Sequence, residues 1–398
     1  MSYTARKDVA DGLASPPGSA PVGKVVVLSG TDREAAAHGR VLLEALRGLA
    51  REVVVVTSAG AGDLAGFDVG TVELEGETPW HSPLSKARKA WKLARALEAE
   101  RPDVVHAIGF KPAALACLAM QLASVPAAMV HLPDPGALNE RGGVPWPYRK
   151  GAMKLLASQL RKPGSFLLIG SDDELGELRA LGIDPGPRFA VLGGAGVDPE
   201  VYPVLPPAPG DMPVAAFIGP VSETSGVREL MQAFERLWAR GLRLQLELHG
   251  PLDDTGALAA DWAKWGLHPG VRCVAEWPAD AREIWRRAEI CVWPMQPRQG
   301  LPRLILEAAS CGRALVIGDG PGGTRGFVRE DVEGLIVPAG DASALGTVLE
   351  RLARDAGLRQ RLGAAARLRV LQGFTEAHVK ETLRGAYLSL RLSLSLRG

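Results

Sequence analysis

Between Arg298 and Gly312 the chain reads Arg298-Gln299-Gly300-Leu301-Pro302-Arg303-Leu304-Ile305-Leu306-Glu307-Ala308-Ala309-Ser310-Cys311-Gly312. A Gly/Pro loop at the end of a strand runs here into an apolar helix with an acidic residue, Glu307, on its first turns. That is where a parallel α/β sheet holds its ligand. A carboxylate fixed there offers two acceptor oxygens to hydroxyl groups; the plain alternative is a solvent-facing Glu. Further on, Gly320-Pro321-Gly322-Gly323-Thr324 follows a strand and could aim backbone N–H groups at phosphate oxygens. A turn needs the same residues. His106, Lys111 and His131 flank two other strand ends. Lys111 could hold a phosphate or stand solvated before Pro112.

These residues need elements to carry them. From Lys24 onward short Val/Leu/Ile runs alternate with helical patterns, which predicts a parallel sheet with crossover helices. The runs Val25–Leu28, Val53–Val56, Val104–His106, Ala127–Val130, Phe166–Ile169 and Phe189–Leu192 read as strands, with helices near 34–50, 84–100, 112–123, 149–162 and 172–181. Six prolines between Pro199 and Pro213 then exclude helix or central strand and read as an interdomain linker. The alternation restarts at Val214–Ile218 and continues through Leu244–Leu248, Val271–Ala275, Ile290–Trp293 and Ala314–Ile317. The division expected is a disordered tail over 1–22, an N-terminal Rossmann-like domain over 23–198, a linker over 199–213, a second Rossmann-like domain over 214–375, and a final helix over 376–398.

The bulk composition agrees with a two-domain globular protein. The chain has 398 residues, 46% hydrophobic and 23% charged, more than one hydrophobic core ordinarily supports. A formal charge of +1 gives no global pull toward nucleic acid. Cys117, Cys273, Cys291 and Cys311 lack metal-type spacing, which suits buried thiols in a reducing cytosol and argues against a metal site. No segment is long and apolar enough to span a bilayer.

The 298–312 run resembles the donor-binding signature of family 4 retaining glycosyltransferases, in which two Glu stand with seven residues between them; here the first falls at Gln299 and the second at Glu307. Trp80-His81-Ser82-Pro83-Leu84, Arg101-Pro102-Asp103-Val104-Val105-His106, Lys111-Pro112, Gly196-Val197-Asp198, Gly334-Leu335-Ile336-Val337-Pro338 and Leu358-Arg359-Gln360-Arg361-Leu362-Gly363 extend the resemblance over most of 24–385. It implies a GT-B fold, two Rossmann-like domains with parallel sheets facing across a cleft, the final helix packing back on the N-terminal domain. It also implies a nucleotide-sugar donor, with no further cofactor and no metal. Glu307 would accept from the ribose hydroxyls, and Gly300, Leu301, Pro302, Gly219, Ser225, Gly322, Gly323, Thr324 and Arg325 would line the donor site. His131 and Gln299 would serve the catalytic step, and His106 and Lys111 the acceptor.

The departures gather where charge is needed. Relatives carry Gly-Arg at the end of the first strand of the second domain and Lys-Gly shortly after, two cations that grip the diphosphate. This chain has Gly219-Pro220 and Ser225-Gly226, and Gly326 sits where many relatives have an acid. Arg228, Arg298, Arg303 or Arg325 could reach the phosphates instead, or could be surface residues. Two functions follow: a retaining hexosyltransferase that moves a sugar onto a polyprenyl-linked saccharide or other glycan in polysaccharide biosynthesis, or a non-catalytic relative serving as a binding or scaffold subunit. A sugar-nucleotide epimerase of the same architecture fits the signature less well. Lys86, Arg88, Lys89, Lys92 and Arg95 share a helix with Leu84, Trp91, Ala94 and Leu97, and Arg149, Lys150, Lys154, Arg161 and Lys162 form a second basic stretch. Such helices dock on anionic lipid, or are solvated faces. The reading therefore places the protein in the cytoplasm, peripheral on the inner face of the membrane.

Overall fold

Parallel strands covered on both faces read as unbroken aliphatic runs, because neither face meets water. The computed structural model describes residues 22–29, 33–57, 69–73, 83–133, 146–206, 210, 212–253, 257–294, 300–320 and 323–395. Residues 1–21 of the expected tail, Trp80-His81-Ser82, Arg298, Gln299 and Gly322 lie outside them, while Val22, expected in the tail, opens the first strand. Strands β1 (Val22–Ser29), β2 (Ala50–Thr57), β3 (Gly70–Glu73), β4 (Val104–Ile108), β5 (Ala127–Leu132), β6 (Ser165–Ile169) and β7 (Phe189–Val191) form one sheet in the order β3-β2-β1-β4-β5-β6-β7. Strands β8 (Val214–Ile218), β9 (Gln245–His249), β10 (Val271–Val274), β11 (Ile290–Trp293), β12 (Ala314–Asp319) and β13 (Gly334–Pro338) form a second, β10-β9-β8-β11-β12-β13. All pairs are parallel. The architecture is two Rossmann-like α/β domains.

The two-residue repeat of a strand sends neighbours to opposite faces. Val26 and Leu28 of β1 join a cluster with Leu93 and Leu97 of α2 (Pro83–Glu100) and with Ala113 and Cys117 of α3 (Phe110–Ala119). Val25 and Val27 join the opposite cluster, with Val41, Leu42 and Leu46 of α1 (Arg33–Leu46). Val379, Leu383, Ala386, Tyr387 and Leu390 of α13 (Glu376–Ser395) complete that second cluster, so the last helix closes the first domain's core. The other sheet has its own core, built on Phe217, Trp285 and Trp293.

The chain crosses between domains twice, and the crossings lie side by side. Val197 forms a parallel bridge with Thr375; its N–H donates to Phe374 O (3.1 Å), and its carbonyl accepts from Glu376 N–H (3.0 Å). The segment after the first crossing lies along the second domain. Leu205 N–H donates to Cys311 O (3.2 Å), and Arg313 holds the Pro206 carbonyl (2.9 Å).

Some expected boundaries move for local reasons. Helix α1 stops at Leu46 rather than near 50, because Gly48 turns with φ 79° and Ala50 already pairs in β2. Helix α3 starts at Phe110 rather than 112, since Pro112 is accepted in a first turn, where its missing N–H has no partner to lose. On α2, Ala94 and Leu97 are buried in the first domain's core and cannot face lipid, while Trp91 of the same helix is 57% exposed.

Candidate functional site

In an open α/β sheet the ligand crevice opens where strand order reverses, beyond the carboxyl ends of the strands. That point lies between β1 and β4 in the first sheet and between β8 and β11 in the second. Pro302, in extended conformation, starts α9 (Arg303–Ser310) just beyond β11 and its loop. Leu304, Ile305, Leu306 and Ala308 bury the helix in the second core, and Glu307 is buried with them, 4% exposed. Its Oε1 accepts from Arg303 Nε one turn earlier (3.0 Å), and Tyr202 lines the same space. Burial and then the adjoining Glu307 charge push the Tyr202 phenol well above its ordinary range.

A cavity of about 360 Å³ opens beside this pair, of the size that holds small molecules, ~300–1,000 Å³. Arg40 of α1 lines it from the first domain, Asp198 and Tyr202 from the connecting segment, Arg303 and Glu307 from α9, and Glu376 from the start of α13. Two cations and three acids thus face a small interdomain space.

The other expected donor residues are placed less openly. Gly219 is buried, its N–H donating to His249 O (2.9 Å), and Pro220 is exposed. Ser225 is buried and turned into its own loop: its hydroxyl donates to Ser222 O (2.6 Å), which uses the single donor a hydroxyl has. Ser225, expected to line the donor site, thus spends its hydroxyl proton within its own loop. Gly323 is buried because a Cβ there would stand 2.6 Å from Leu301 N, so the glycine permits close packing on the signature loop. Leu301 belongs to the second core, Gly300 and Pro302 are half-buried beside it, and Thr324 is half-buried on α10 (Gly323–Phe327). Arg325 is exposed and paired with Asp319 (3.1 Å). Arg228 is held by Glu223 (2.9 Å) and by Asp261.

The histidines also differ from expectation. His131 lies inside β5 and His106 inside β4, both fully buried, rather than at open strand ends. His106 Nδ1 meets the Tyr387 hydroxyl at 2.8 Å, and the His131 ring stands edge-on to His38 with centroids 4.7 Å apart. Burial, then the neighbouring His38, lowers His106 to about 3 and His131 well below the usual histidine range, so both are neutral at pH 7. An acceptor contact through His106 is thus corrected: its ring belongs to the seat of α13. Lys111 stays exposed on the first turn of α3. Sequence reading missed Tyr202, Arg40 and Glu376; the Arg303–Glu307 spacing of four on one helix was the signal available.

Residues 35–194 match the family described as "Glycosyl transferase 4-like domain" and residues 212–355 the family described as "Glycosyl transferases group 1". The capsular polysaccharide biosynthesis glycosyltransferase CapM of Staphylococcus aureus is 24% identical over 44% of this chain and 45% of its own length. A D-inositol 3-phosphate glycosyltransferase of Kribbella flavida is 29% identical over 56% of the chain and 55% of its own. The chain spans about half the length of these curated relatives. Among solved structures, Anabaena HepE in complex with UDP and glucose superposes with a TM-score of 0.72 at 16% identity, covering 90% of this chain and 97% of that one. The galactosyltransferase WaaB of the lipopolysaccharide outer core gives 0.68 at 14%, covering 92% and 98%. At such identity the likeness is one of fold. Each of the two sheets thus corresponds to one of the two matched glycosyltransferase domains, and the chain has the GT-B fold of its solved neighbours.

Proposed function

We propose that the protein transfers a sugar from a nucleotide-sugar donor to a glycan acceptor during polysaccharide assembly. The carrying observation is Glu307: a buried carboxylate at the interdomain cavity, suited to accept two hydrogen bonds from a ribose diol. The UDP and glucose held by Anabaena HepE support this choice of donor class. Retention at the anomeric carbon, a hexose donor, a polyprenyl-linked acceptor and a role for His131 belong to the same proposal. Titration calorimetry with uridine, UMP and UDP tests it. Glu307→Ala is expected to weaken binding by about 1–3 kcal/mol through lost charged hydrogen bonds. Equal affinities of wild type and variant would remove Glu307 from the site.

A specific observation favours a second, non-catalytic reading. Among the described residues, Arg228, Arg303 and Arg325 are each held by carboxylates, and Ser225 is turned inward. The diphosphate is then expected to add little affinity beyond the nucleoside. Pro220→Arg is expected to strengthen UDP binding while leaving uridine unchanged, because the new charge acts only on phosphate. Tight UDP binding and sugar turnover by the wild type would discard the non-catalytic reading.

The acceptor proposal includes docking on anionic lipid through α2. Trp91 stands exposed there beside Arg88 and Arg95, the Arg95 guanidinium 5.9 Å from the Trp91 ring centroid. Among the described residues no helix is long and apolar enough to cross a membrane. Anionic liposomes are expected to sediment the protein at low salt and release it at high salt. Changing Lys86, Arg88, Lys89 and Lys92 together to Gln should weaken that binding, and salt-independent binding would oppose it.

A further inference from the structure

Arg303 binds more than Glu307. Besides its Nε contact, it donates from Nη2 to Glu376 Oε1 (3.0 Å) and from Nη1 to the Gly196 carbonyl (3.2 Å). One guanidinium thus gathers the signature helix, the first interdomain crossing and the first turn of α13. Glu376 Oε1 also accepts from Arg40 of α1, and Lys380, one turn along α13, is paired with Glu44 of α1. Helices α1 and α13 belong to the first domain's core and α9 to the second's. The row Arg40–Glu376–Arg303–Glu307 therefore bridges the domains beside the paired crossings at Val197 and Thr375.

The side chains of Arg303 and Glu376 are 18% and 8% exposed, so salt screens this central pair little, whereas Arg40 at the end of the row is 40% exposed. Burial works against the guanidinium's charge, but Glu307 and Glu376 together hold it above its ordinary range. A planar fork of five donors can serve three acceptors in different directions; an ammonium group on a flexible stem cannot reproduce that geometry.

We propose that Arg303 is a positioning residue that aims the Glu307 carboxylate and, through Glu376 and Arg40, couples occupancy at Glu307 to the angle between the domains. The coupling rests on reading Glu307 as the acceptor for a nucleoside diol; the tie between domains does not. A diol donating to Glu307 draws that carboxylate's charge away from Arg303, whose hold on Glu376 then strengthens. Conversely, domains swung apart draw Glu376 off Arg303, and the guanidinium turns wholly onto Glu307 and occupies the oxygens the diol needs. Coupling of this kind is reciprocal.

The test compares wild type with Arg303→Met, Arg303→Lys, Glu376→Gln and the Arg303→Met/Glu376→Gln double variant. Pulsed electron resonance between labels at Lys154→Cys and Glu235→Cys, in a Cys273→Ser background, reads the interdomain distance without ligand. Uridine and UDP titrations read affinity. Arg303→Met and Glu376→Gln are each expected to broaden the distance distribution. Arg303→Met should weaken nucleotide binding about 10-fold, Glu376→Gln about 3-fold, and the double variant no more than Arg303→Met alone. Arg303→Lys, which keeps the charge but not the fork, should recover affinity only in part, and it replaces the Met variant if that fails to fold. Unchanged distances in both single variants, or losses that multiply in the double, would overturn the proposal. If the wild type binds neither uridine nor UDP, the functional reading and the coupling fall together, and the distances alone decide the tie.

Discussion

Lowering the pH from 7 toward 4 is expected to unfold the first domain ahead of the second. His106 and His131 lie neutral in the middle of the first sheet, His106 lowered to about 3 by burial and by His38, His131 lowered in the same direction by burial and by His38 and His106. In the unfolded chain each takes up a proton near pH 6.5, so below that value the unfolded state binds more protons and stability falls with pH. The contribution is complete above about pH 6.5 and is lost progressively as pH falls toward 3, where His106 alone accounts for about 4 kcal/mol. Whole domains hold only about 5–15 kcal/mol. In the second domain Glu247, lowered to about 2 by His249 and Arg287 against the opposing effect of burial, loses its contribution only below its unfolded value of 4.5. Urea unfolding at pH 7.5, 6, 5 and 4, followed by domain-resolved hydrogen exchange, checks the order. His106→Gln should flatten the pH dependence by about one proton. A pH-independent first domain would contradict the neutral assignment.

Gly363→Ala is expected to cost about 3 kcal/mol, the upper end of overpacking effects. Gly363 lies on α12 (Ala356–Gly373), and a Cβ there would stand 2.0 Å from Gly312 O and 2.6 Å from Gly312 C. Backbone faces it, so no side chain can rotate away and the helix itself must move. One turn on, Arg367 donates to Ser310 O (2.8 Å) and to Tyr202 O (2.9 Å), so displacement also loosens Tyr202, which lines the cavity with Glu307. Calorimetric unfolding and nucleotide titration of the same variant should both register the change. Gly385→Ala on α13 is the control: nothing lies within 4 Å of its added carbon, and removal of a helical glycine should stabilise by up to about 1 kcal/mol.

Most strands of both sheets were readable because β1, β8 and β11 carry largely buried apolar runs, Val25-Val26-Val27-Leu28, Val214-Ala215-Ala216-Phe217-Ile218 and Ile290-Cys291-Val292-Trp293. β3 was not, since Gly70-Thr71-Val72-Glu73 offers one aliphatic side chain and is placed at the sheet's edge by pairing with β2. Glu307 was legible as a carboxylate on an apolar helix; the partners that set its charge were not. Glu376 lies 73 residues from Arg303 in sequence, and Tyr387 lies 281 residues from His106. Such pairs are made by the way the chain returns on itself, and no local pattern announces them. The inward turn of Ser225 was equally hidden, since a serine in a loop reads the same whether its hydroxyl faces ligand or backbone.

Helix α13 closes the core of the first domain, yet it follows the whole second domain along the chain. During synthesis the first domain therefore emerges with the seat for Val379, Leu383 and Tyr387 uncovered, and it cannot complete its core until the second domain has been made. The usual order, in which the leading domain folds first, is reversed for the final step. Ribosome-bound chains ending before residue 376 would present that apolar seat to chaperones, and the native state would be reached when the trailing helix docks.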